Sequence, residues 1–278
     1  MIRLSTVLTK RDVVKVVLPA ELEYINIKLL SDWHIGDRFC DFKAIEKQVA
    51  GVAEDPNCYA ICCGDLMNNA TKASVSDIYS EKLSPQEQID KVLKILTPIR
   101  DRILYITSGN HEARTYREAG IDTTAVIAVK LDLQDRYSKS GGIMSLSLGR
   151  DRAHVSPNSK QKLKYFFYIL HGNGNGSKAG GKVNRLVDLA SIVDADIYIH
   201  AHTHLPVVTM VPFCRIDRAH DMVTMEDRLF VNASAKLEYG GYGKEKAFVP
   251  ASLADPVIFI NGKKKEIGCS IRNYSKEF

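Results

Sequence analysis

The sequence contains no apolar run that approaches the roughly 18 residues of a membrane-spanning helix. Its first stretch, Met1 to Lys10, lacks the apolar core and the cleavage site of a secretory signal peptide. The six cysteines show no C-x-x-C spacing, which argues against the usual structural zinc sites. Two of them, Cys62 and Cys63, lie in an apolar strand-like run, where a free thiol packs as a small hydrophobe. We therefore expect a cytoplasmic protein without disulfides and without a membrane partner.

Internal repeats, low-complexity segments and recognisable linkers are also absent, so we expect one domain that spans residues 1–278. Inserts are expected near residues 66–90 and 149–164, and a β-rich C-terminal part at residues 205–278. The hydrophobic content of 45% and the charged content of 26% are ordinary for a globular protein with a packed core. The net charge of +5 is modest, so it favours anionic partners, including DNA or RNA, without requiring them.

The sequence does contain short apolar runs that end in polar side chains. The run Ile103–Thr107 breaks at Gly109 and continues with Asn110, His111 and Glu112. A run of this length before a glycine turn is typical of a buried strand. In open α/β sheets, functional side chains lie beyond the carboxyl ends of the strands. Five predicted strands end in this way, with Asp32 and His34, Asp65, Asn110 and His111, His171, and His202 and His204.

Segments whose apolar residues recur at helical intervals alternate with these runs, and this order predicts an α/β protein. The predicted helices are Phe42–Ala53, Gln88–Ile99, Ile121–Leu133 and Val183–Ile192. Gly141–Leu148 is predicted to be a strand that forms a hairpin with Tyr165–Leu170. We expect the basic tracts Lys160–Lys164 and Lys263–Lys265 to be solvated.

The residues at the five strand ends are oxygen and imidazole donors, and none is a thiolate. This donor set suits manganese, iron, nickel or zinc in a functional site, and disfavours a structural zinc site. Eight donor groups are more than one ion needs, so the sequence predicts two divalent ions. Two such ions about 3.5 Å apart repel each other by roughly 19 kcal/mol at an effective dielectric of about 20, so an anion has to bridge them. Asp65 stands alone on its strand end and is the natural bridge.

The order of the motifs matches a known family. Across residues 25–210 the chain resembles the calcineurin-like metallophosphoesterases, and most closely those encoded by bacteriophages and prophages. The motifs that carry the resemblance are Asp32-x-His34, Gly64-Asp65, Gly109-Asn110-His111-Glu112, His171-Gly172 and His202-x-His204. One departure is Ala201, where the family usually has a glycine; the extra methyl removes no ligand.

The resemblance implies a four-layer α/β/β/α sandwich and a hydrolase in which a metal-bound hydroxide attacks phosphorus. His111 would contact a phosphate oxygen and protonate the leaving group, and Glu112 would orient the His111 ring. By the same resemblance the first ion would be held by Asp32, His34 and His204, the second by Asn110, His171 and His202, and both by Asp65.

Several residues have a second interpretation. His111 and Glu112 could form only a helix N-terminus with its capping acid. Arg114 could contact a substrate phosphate or lie on a solvated helix face with Arg117. The segment 176–183 is close to a nucleotide-binding loop but has Val183 where that loop needs a hydroxyl, so ATP binding is disfavoured. Lys178 in this segment could still contact a substrate phosphate. His200 is expected to be a core residue.

The sequence thus predicts a phosphodiesterase that uses two divalent ions, for which manganese is the first choice, and that acts on DNA or RNA. A phosphomonoesterase that acts on a protein or a small metabolite fits the same ligands. A non-catalytic interaction module is the third alternative, although intact donors at all five strand ends argue against it. The sequence makes no prediction about the oligomeric state.

Overall fold

Two six-stranded sheets carry the fold in this computed structural model. The structure describes residues 13–72, 74, 78–150, 162–173, 178–218, 220–240, 244, 250 and 252–272. The insert expected at 149–164 lies largely outside the described residues, as do the centre of the glycine-rich segment and most of Lys160–Lys164. The described strands are β1 (Val13–Val17), β2 (Tyr24–Leu30), β3 (Cys58–Cys62), β4 (Ile103–Thr107), β5 (Tyr137–Ser138), β6 (Gly142–Leu148), β7 (Leu163–Ile169), β8 (Ile197–His200), β9 (Val207–Asp217), β10 (Met222–Asn232), β11 (Asp255–Asn261) and β12 (Ile267–Arg272).

Five α-helices are described, and short 3₁₀ turns accompany them. The helices are α1 (Phe42–Ala53), α2 (Pro85–Leu96), α3 (Glu112–Ala119), α4 (Thr123–Lys130) and α5 (Ala179–Asp188). Three N-termini are capped by side chains, since Asp41 Oδ1 accepts from Ala44 N at 3.0 Å and Asp122 Oδ1 from Ala125 N at 3.0 Å. Ser84 and Glu87 form a capping box, so α2 begins at Pro85 rather than at the predicted Gln88. Within the described residues no helix is both long and apolar enough to cross a bilayer.

The first sheet has the strand order β12-β11-β2-β3-β4-β5, and the second has β1-β6-β7-β8-β10-β9. β2, β3, β4 and β5 run parallel, and so do β7, β8 and β10. The predicted hairpin of β6 and β7 is confirmed as an antiparallel pair. β12 lies in the C-terminal part that was expected to be β-rich, but it was not predicted as a strand, because it follows the basic tract Lys263–Lys265.

The layers of the molecule follow from its three apolar clusters. Side chains from both sheets, such as Ile27 and Phe167, pack against each other in the central cluster. The outer face of the first sheet packs under α1, α2 and α4 through residues such as Val49 and Val92. The outer face of the second sheet packs under α5, where Leu186 meets Tyr198. The α/β fold class and the four-layer α/β/β/α sandwich are therefore confirmed.

The parallel strands bring their carboxyl ends to one rim of the sandwich. Backbone bonds join the loops that leave β2 and β3, with Asp32 N donating to Gly64 O at 3.1 Å and His34 N to Asp65 O at 3.0 Å. The loop after β8 joins the same rim, because His202 N donates to the Asp32 carboxylate at 3.2 Å. Loops from both sheets thus meet where the sequence places its polar residues.

Candidate metal centre

Several of the polar residues at this rim have an unusual backbone conformation. Asp32, His34, Asp65, His202 and His204 all have positive φ, between 48° and 61°. A residue with a Cβ pays about 1 kcal/mol or more for this left-handed conformation, and such strain is concentrated at functional sites. The bend it makes turns each side chain away from its strand direction and toward the centre of the rim.

One donor cluster lies where the loops after β2 and β8 meet. The Asp32 Oδ1 to His204 Nε2 distance is 3.2 Å, and His34 Nε2 is 3.2 Å from His204 Nε2. The other Asp32 oxygen accepts from Ser31 Oγ at 2.7 Å and from His202 N at 3.2 Å. Asp32 Oδ1 itself is buried and has no hydrogen-bond donor. A buried carboxylate oxygen without a donated hydrogen bond favours a nearby cation, because an unpaired buried charge is strongly unfavourable.

A second donor cluster lies between the loops after β3, β4 and β7. His171 Nε2 is 3.2 Å from Asp65 Oδ2 and 3.0 Å from Asn110 Oδ1. The other ring nitrogen of His171, Nδ1, lies 2.8 Å from Cys63 O. A carbonyl oxygen only accepts hydrogen bonds, so Nδ1 carries a proton. The Nε2 atom is therefore the one that can bind a metal ion. His202 completes this cluster, since its ligand atom lies within 4.8 Å of those of Asp65 and His171.

The spacing of these atoms fits coordination of metal ions. Two ligands bound at about 2.1 Å to one ion, at angles of about 90–110°, lie about 3.0–3.4 Å apart. The distances of 3.0 to 3.2 Å match this value, and the 3.9 Å between His34 Nε2 and Asp32 Oδ1 corresponds to a wider angle at the ion. Asp65 lies between the clusters, because it also groups with His34 and His111 within 4.8 Å. The donor set and the orphaned Asp32 oxygen therefore fit divalent ions.

The electrostatics of the site prepare most of these groups for a metal. Burial opposes ionisation of Asp65, yet the His171 and His111 rings hold its pKa well below the usual range. Burial is also the largest cause that lowers the pKa of His34, and it lowers the pKa of His202 to about 4. For His171 burial acts the same way, but the Asp65 carboxylate outweighs it and raises the pKa to about 10. His171 therefore has to release a proton when a cation binds.

Comparison with known proteins agrees with this geometry. A family model described as calcineurin-like phosphoesterase matches residues 25–206, which is more than half of the chain. The chain belongs to the calcineurin-like phosphoesterase family. No curated protein is significantly similar to it in sequence.

Solved structures of this family and its relatives are similar to the chain at low identity. A predicted phosphoesterase from Streptococcus pneumoniae has 12% identity and a TM-score of 0.36, with 90% of this chain and 99% of that chain covered. A metallophosphoesterase from Sphaerobacter thermophilus has 10% identity and a TM-score of 0.38, with 90% of each chain covered. Vps29 of Entamoeba histolytica, complexed with zinc, has 12% identity and a TM-score of 0.38, with 89% of this chain and 98% of that chain covered.

His111, the predicted proton donor of this phosphoesterase, lies beside the metal donors. Its Nε2 atom is 3.8 Å from Asp65 Oδ2, and its backbone N–H donates to Asp65 Oδ1 at 2.8 Å. The ring Nδ1 lies 2.7 Å from Asn68 O and therefore donates to it. Burial, with Arg114 nearby, lowers the pKa of His111. Its Nε2 atom is thus the one that faces the site and can exchange a proton there.

Glu112 was expected to orient the His111 ring, but its described hydrogen bonds go to backbone groups instead. The Glu112 carboxylate is buried and accepts from the backbone N–H groups of Asp65, Met67 and Gly109, at 2.9 to 3.0 Å. It therefore ties together the loops after β3 and β4, whereas the carbonyl of Asn68 orients the ring. Burial, with the nearby Asp65 charge, raises the pKa of Glu112 to about 7. The sequence alone could not predict that Asn68, in the loop after β3, contacts the His111 ring.

The two candidate phosphate contacts have different positions. Arg114 is half-buried, with Nη1 3.0 Å from Asn68 O and Nη2 3.1 Å from His111 Nε2, so it lies at the site rather than on a fully solvated helix face. Arg117, on the next turn of α3, is exposed. Lys178 is exposed and lies immediately before α5. His200 is buried with its Nδ1 2.9 Å from Asn232 Oδ1, as expected of a core residue.

The residues that hold the loops carrying the candidate metal ligands were not predicted from the sequence. Asn232, at the end of β10, is buried and donates to Thr203 Oγ1 at 2.9 Å and to Leu205 O at 2.5 Å, on either side of His204. Lys236 is buried in an ion pair with Asp255, and its backbone N–H donates to Asp32 O at 2.9 Å. Asn232 is a polar residue at a strand end, so the rule that found the ligands could also have found it.

Proposed function

We propose that this family member is a binuclear metal-dependent phosphoesterase that hydrolyses a phosphodiester, with DNA or RNA as the substrate class. The proposal is supported by two adjacent donor clusters: one has an orphaned carboxylate oxygen, and the other contains Asp65, whose ligand atom also lies within 4.8 Å of those of His34 and His111. When bound, two divalent ions supply Lewis acidity that lowers the pKa of water and offsets the charge on phosphate. One ion would be held by Asp32, His34 and His204, the other by Asn110, His171 and His202, and both by Asp65.

Manganese is the ion we assign to both positions, with iron, zinc and nickel as alternatives. The donors are carboxylates, an amide and imidazoles, which suit these borderline or hard ions better than a site built from thiolates. All six cysteines are free thiols, and none belongs to a donor cluster. Free thiols also support the cytoplasmic location that forms part of this proposal. The resemblance to phage-encoded members and the single domain at residues 1–278 stay predictions.

The residues of the chain itself would position the phosphate and move a proton. Arg114 lies beside His111 Nε2 and would bind a phosphate oxygen, and Lys178 would approach from the start of α5. In the structure His111 Nε2 accepts from Arg114, while Nδ1 donates to Asn68 O. Once the phosphate draws Arg114 away, Nε2 would take up a proton from water and deliver it to the leaving oxygen. The single guanidinium next to His111 matches the one negative charge of a diester better than the two of a monoester. Exposed Arg117 and the net charge of +5 support a polyanionic substrate.

The test of this function is turnover by the metal-loaded protein. A p-nitrophenyl phosphodiester, the matching monoester, and labelled single-stranded DNA and RNA are each assayed with manganese, iron, zinc and nickel. We expect kcat/KM to be higher for the diester than for the monoester, and at least one nucleic acid to be cleaved. A faster monoester would support the phosphomonoesterase alternative. No turnover from protein that holds two ions would contradict an enzymatic role and favour the interaction module.

The assigned role of His111 is tested by His111→Ala. We expect kcat on a nucleic acid to fall by about 10²–10⁴-fold, since the alkoxide then leaves without a proton. The loss on the p-nitrophenyl diester should be smaller, because that leaving group needs little proton transfer. Metal content should remain unchanged. His220→Ala, which replaces an exposed histidine paired with Asp217, is the matched control and should leave both rates unchanged. Equal losses on the two substrates would contradict the role.

A further inference from the structure

β9 and β10 extend far beyond the sheet to which they belong. They pair with each other from Val207 with Asn232 to Asp217 with Met222. β8, the neighbour of β10, pairs only with Leu229–Asn232. The remainder, residues 210–218 and 220–228 of the described chain, is a two-stranded ribbon, which we call the arm. An isolated ribbon of this kind is only marginally stable in water, so packing against another surface would stabilise it.

The two faces of the arm differ in composition. Paired residues of an antiparallel ribbon lie on the same face. One face carries charges, including Arg215 and Glu226, whose side chains lie 3.5 Å apart. The other face is apolar, and its one charged residue is Asp227. The apolar face is formed by Met210, Pro212, Cys214, Ile216, Val223 and Met225, all of them exposed.

The apolar face continues the inner face of the sandwich. Leu229 and Val231 lie on the same side of β10 at the base of the arm, and there they are buried in the core between the sheets. Farther along, the exposed fractions reach 66% for Val223, 68% for Ile216 and 74% for Met225. The inner face of a sandwich normally buries its side chains against a second sheet. The outer part of this face therefore has the composition of an interface, although no strand of the described residues packs over it.

The chemistry of the arm excludes several kinds of partner. A nucleic acid requires basic residues, and the apolar face has none. A peptide that adds as an extra strand would have to pair with β9, where Pro212 offers no N–H. A bilayer would meet charged residues at the tip, such as Asp217 and Asp221. The partner that fits this face is therefore an apolar protein surface.

We propose that the apolar face of the arm binds the same face of a second copy of this chain, in a two-fold symmetric dimer. An apolar face with a single charged residue can pack against an identical face, as an isologous interface requires. The exposed side chains on it amount to an apolar patch of the order of 500 Å² per chain, a size typical of interaction sites. Two such faces bury about 1,000 Å² together, which meets the lower limit of a specific interface. Each face also supplies the sheet that the other lacks.

The experiment compares two substitutions at neighbouring positions on β10. Met225→Glu places a charge on the apolar face, whereas Thr224→Glu places the same charge on the opposite face. Sedimentation velocity of the full chain is measured from about 1 to about 100 µM, where an interface of this size dissociates. We expect a dimer for the wild type and for Thr224→Glu. Met225→Glu should dissociate at least about tenfold more readily, because its carboxylate would be buried without a partner.

Each other outcome overturns the proposal. If the wild type is monomeric at the highest concentration, the arm does not bind a second copy of the chain. A dimer that Met225→Glu does not weaken would have its interface elsewhere. Circular dichroism verifies that each variant is folded, and Val223→Lys, at another exposed position of the same face, replaces Met225→Glu if that variant is not. A monomer that instead sediments with phospholipid vesicles would assign the face to a membrane surface.

Discussion

At the scale of single residues, the geometry of the site depends on side chains that are not ligand candidates. Asn232 is the clearest case, because its amide N–H groups bond on both sides of His204 while its oxygen accepts from His200. His202 and His204 both have positive φ, so their backbone needs such support to remain in place. Residues that orient metal ligands typically change metal affinity by about 10–100-fold when they are replaced.

Replacement of Asn232 by aspartate tests this role. Asn232→Asp keeps the size of the side chain and the oxygen that faces His200, but it removes both N–H donors. We expect manganese affinity, measured by calorimetry, to fall by about 10–100-fold. The free energy of unfolding should fall by about 1–3 kcal/mol, because Leu205 O loses its donor.

The matched control is Asn261→Asp, at the opposite end of the sandwich. Asn261 Nδ2 donates to Glu266 Oε2 at 2.6 Å, so this variant also loses a donated hydrogen bond. It should lower stability without changing manganese affinity. Equal affinity losses in the two variants would show that Asn232 acts through global stability and not through the ligand loop.

At the scale of elements, close approach of two loops fixes the position of Asp65. A Cβ atom on Gly109 would lie 2.0 Å from Asp65 Oδ1 and 2.4 Å from Asp65 N. Gly64 has a φ of +89° and lies against the backbone of Gly109. The loops after β3 and β4 therefore pack backbone to backbone. Glu112 bonds to both of them, which makes them one structural unit.

Gly109→Ala should displace Asp65 and separate these loops. We expect a loss of about 1–3 kcal/mol in the free energy of unfolding, since the added methyl overpacks the contact. Metal content after dialysis, measured by mass spectrometry, should fall below two ions per chain. Gly180→Ala is the control, because a Cβ there would meet no atom within 4 Å and the residue lies in α5. Full metal content in Gly109→Ala would contradict this view of the loops.

The elements that the sequence predicts well are those with a strong local pattern. α1 has its predicted bounds, and β4 begins and ends where its apolar run does. α2 begins earlier than predicted, because its capping box lies in polar residues before the apolar spacing starts. β12 escaped prediction, since it is a strand only through its pairing with β11. The outer parts of β9 and β10 were not predicted either, since they are strands through their pairing with each other and not through packing in the core.

At the scale of the whole molecule, two sheets bring distant parts of the chain to one rim. The order of motifs indicates the ligands, because each follows an apolar run that is easy to recognise. Contacts between loops could not be predicted from the sequence. The binding of Glu112 to three backbone amides and the orientation of His111 by Asn68 O depend on how loops of different strands meet. Such contacts leave no periodic pattern in the chain.

The central claim is that two cations share one cage, and anomalous X-ray scattering at the manganese edge tests it most directly. Crystals of the full chain grown with manganese should show two peaks per chain, about 3.5 Å apart, with Asp65 as a ligand of both. One peak should also contact Asp32, His34 and His204, and the other Asn110, His171 and His202. A single peak, or two peaks that do not share Asp65, would contradict the account.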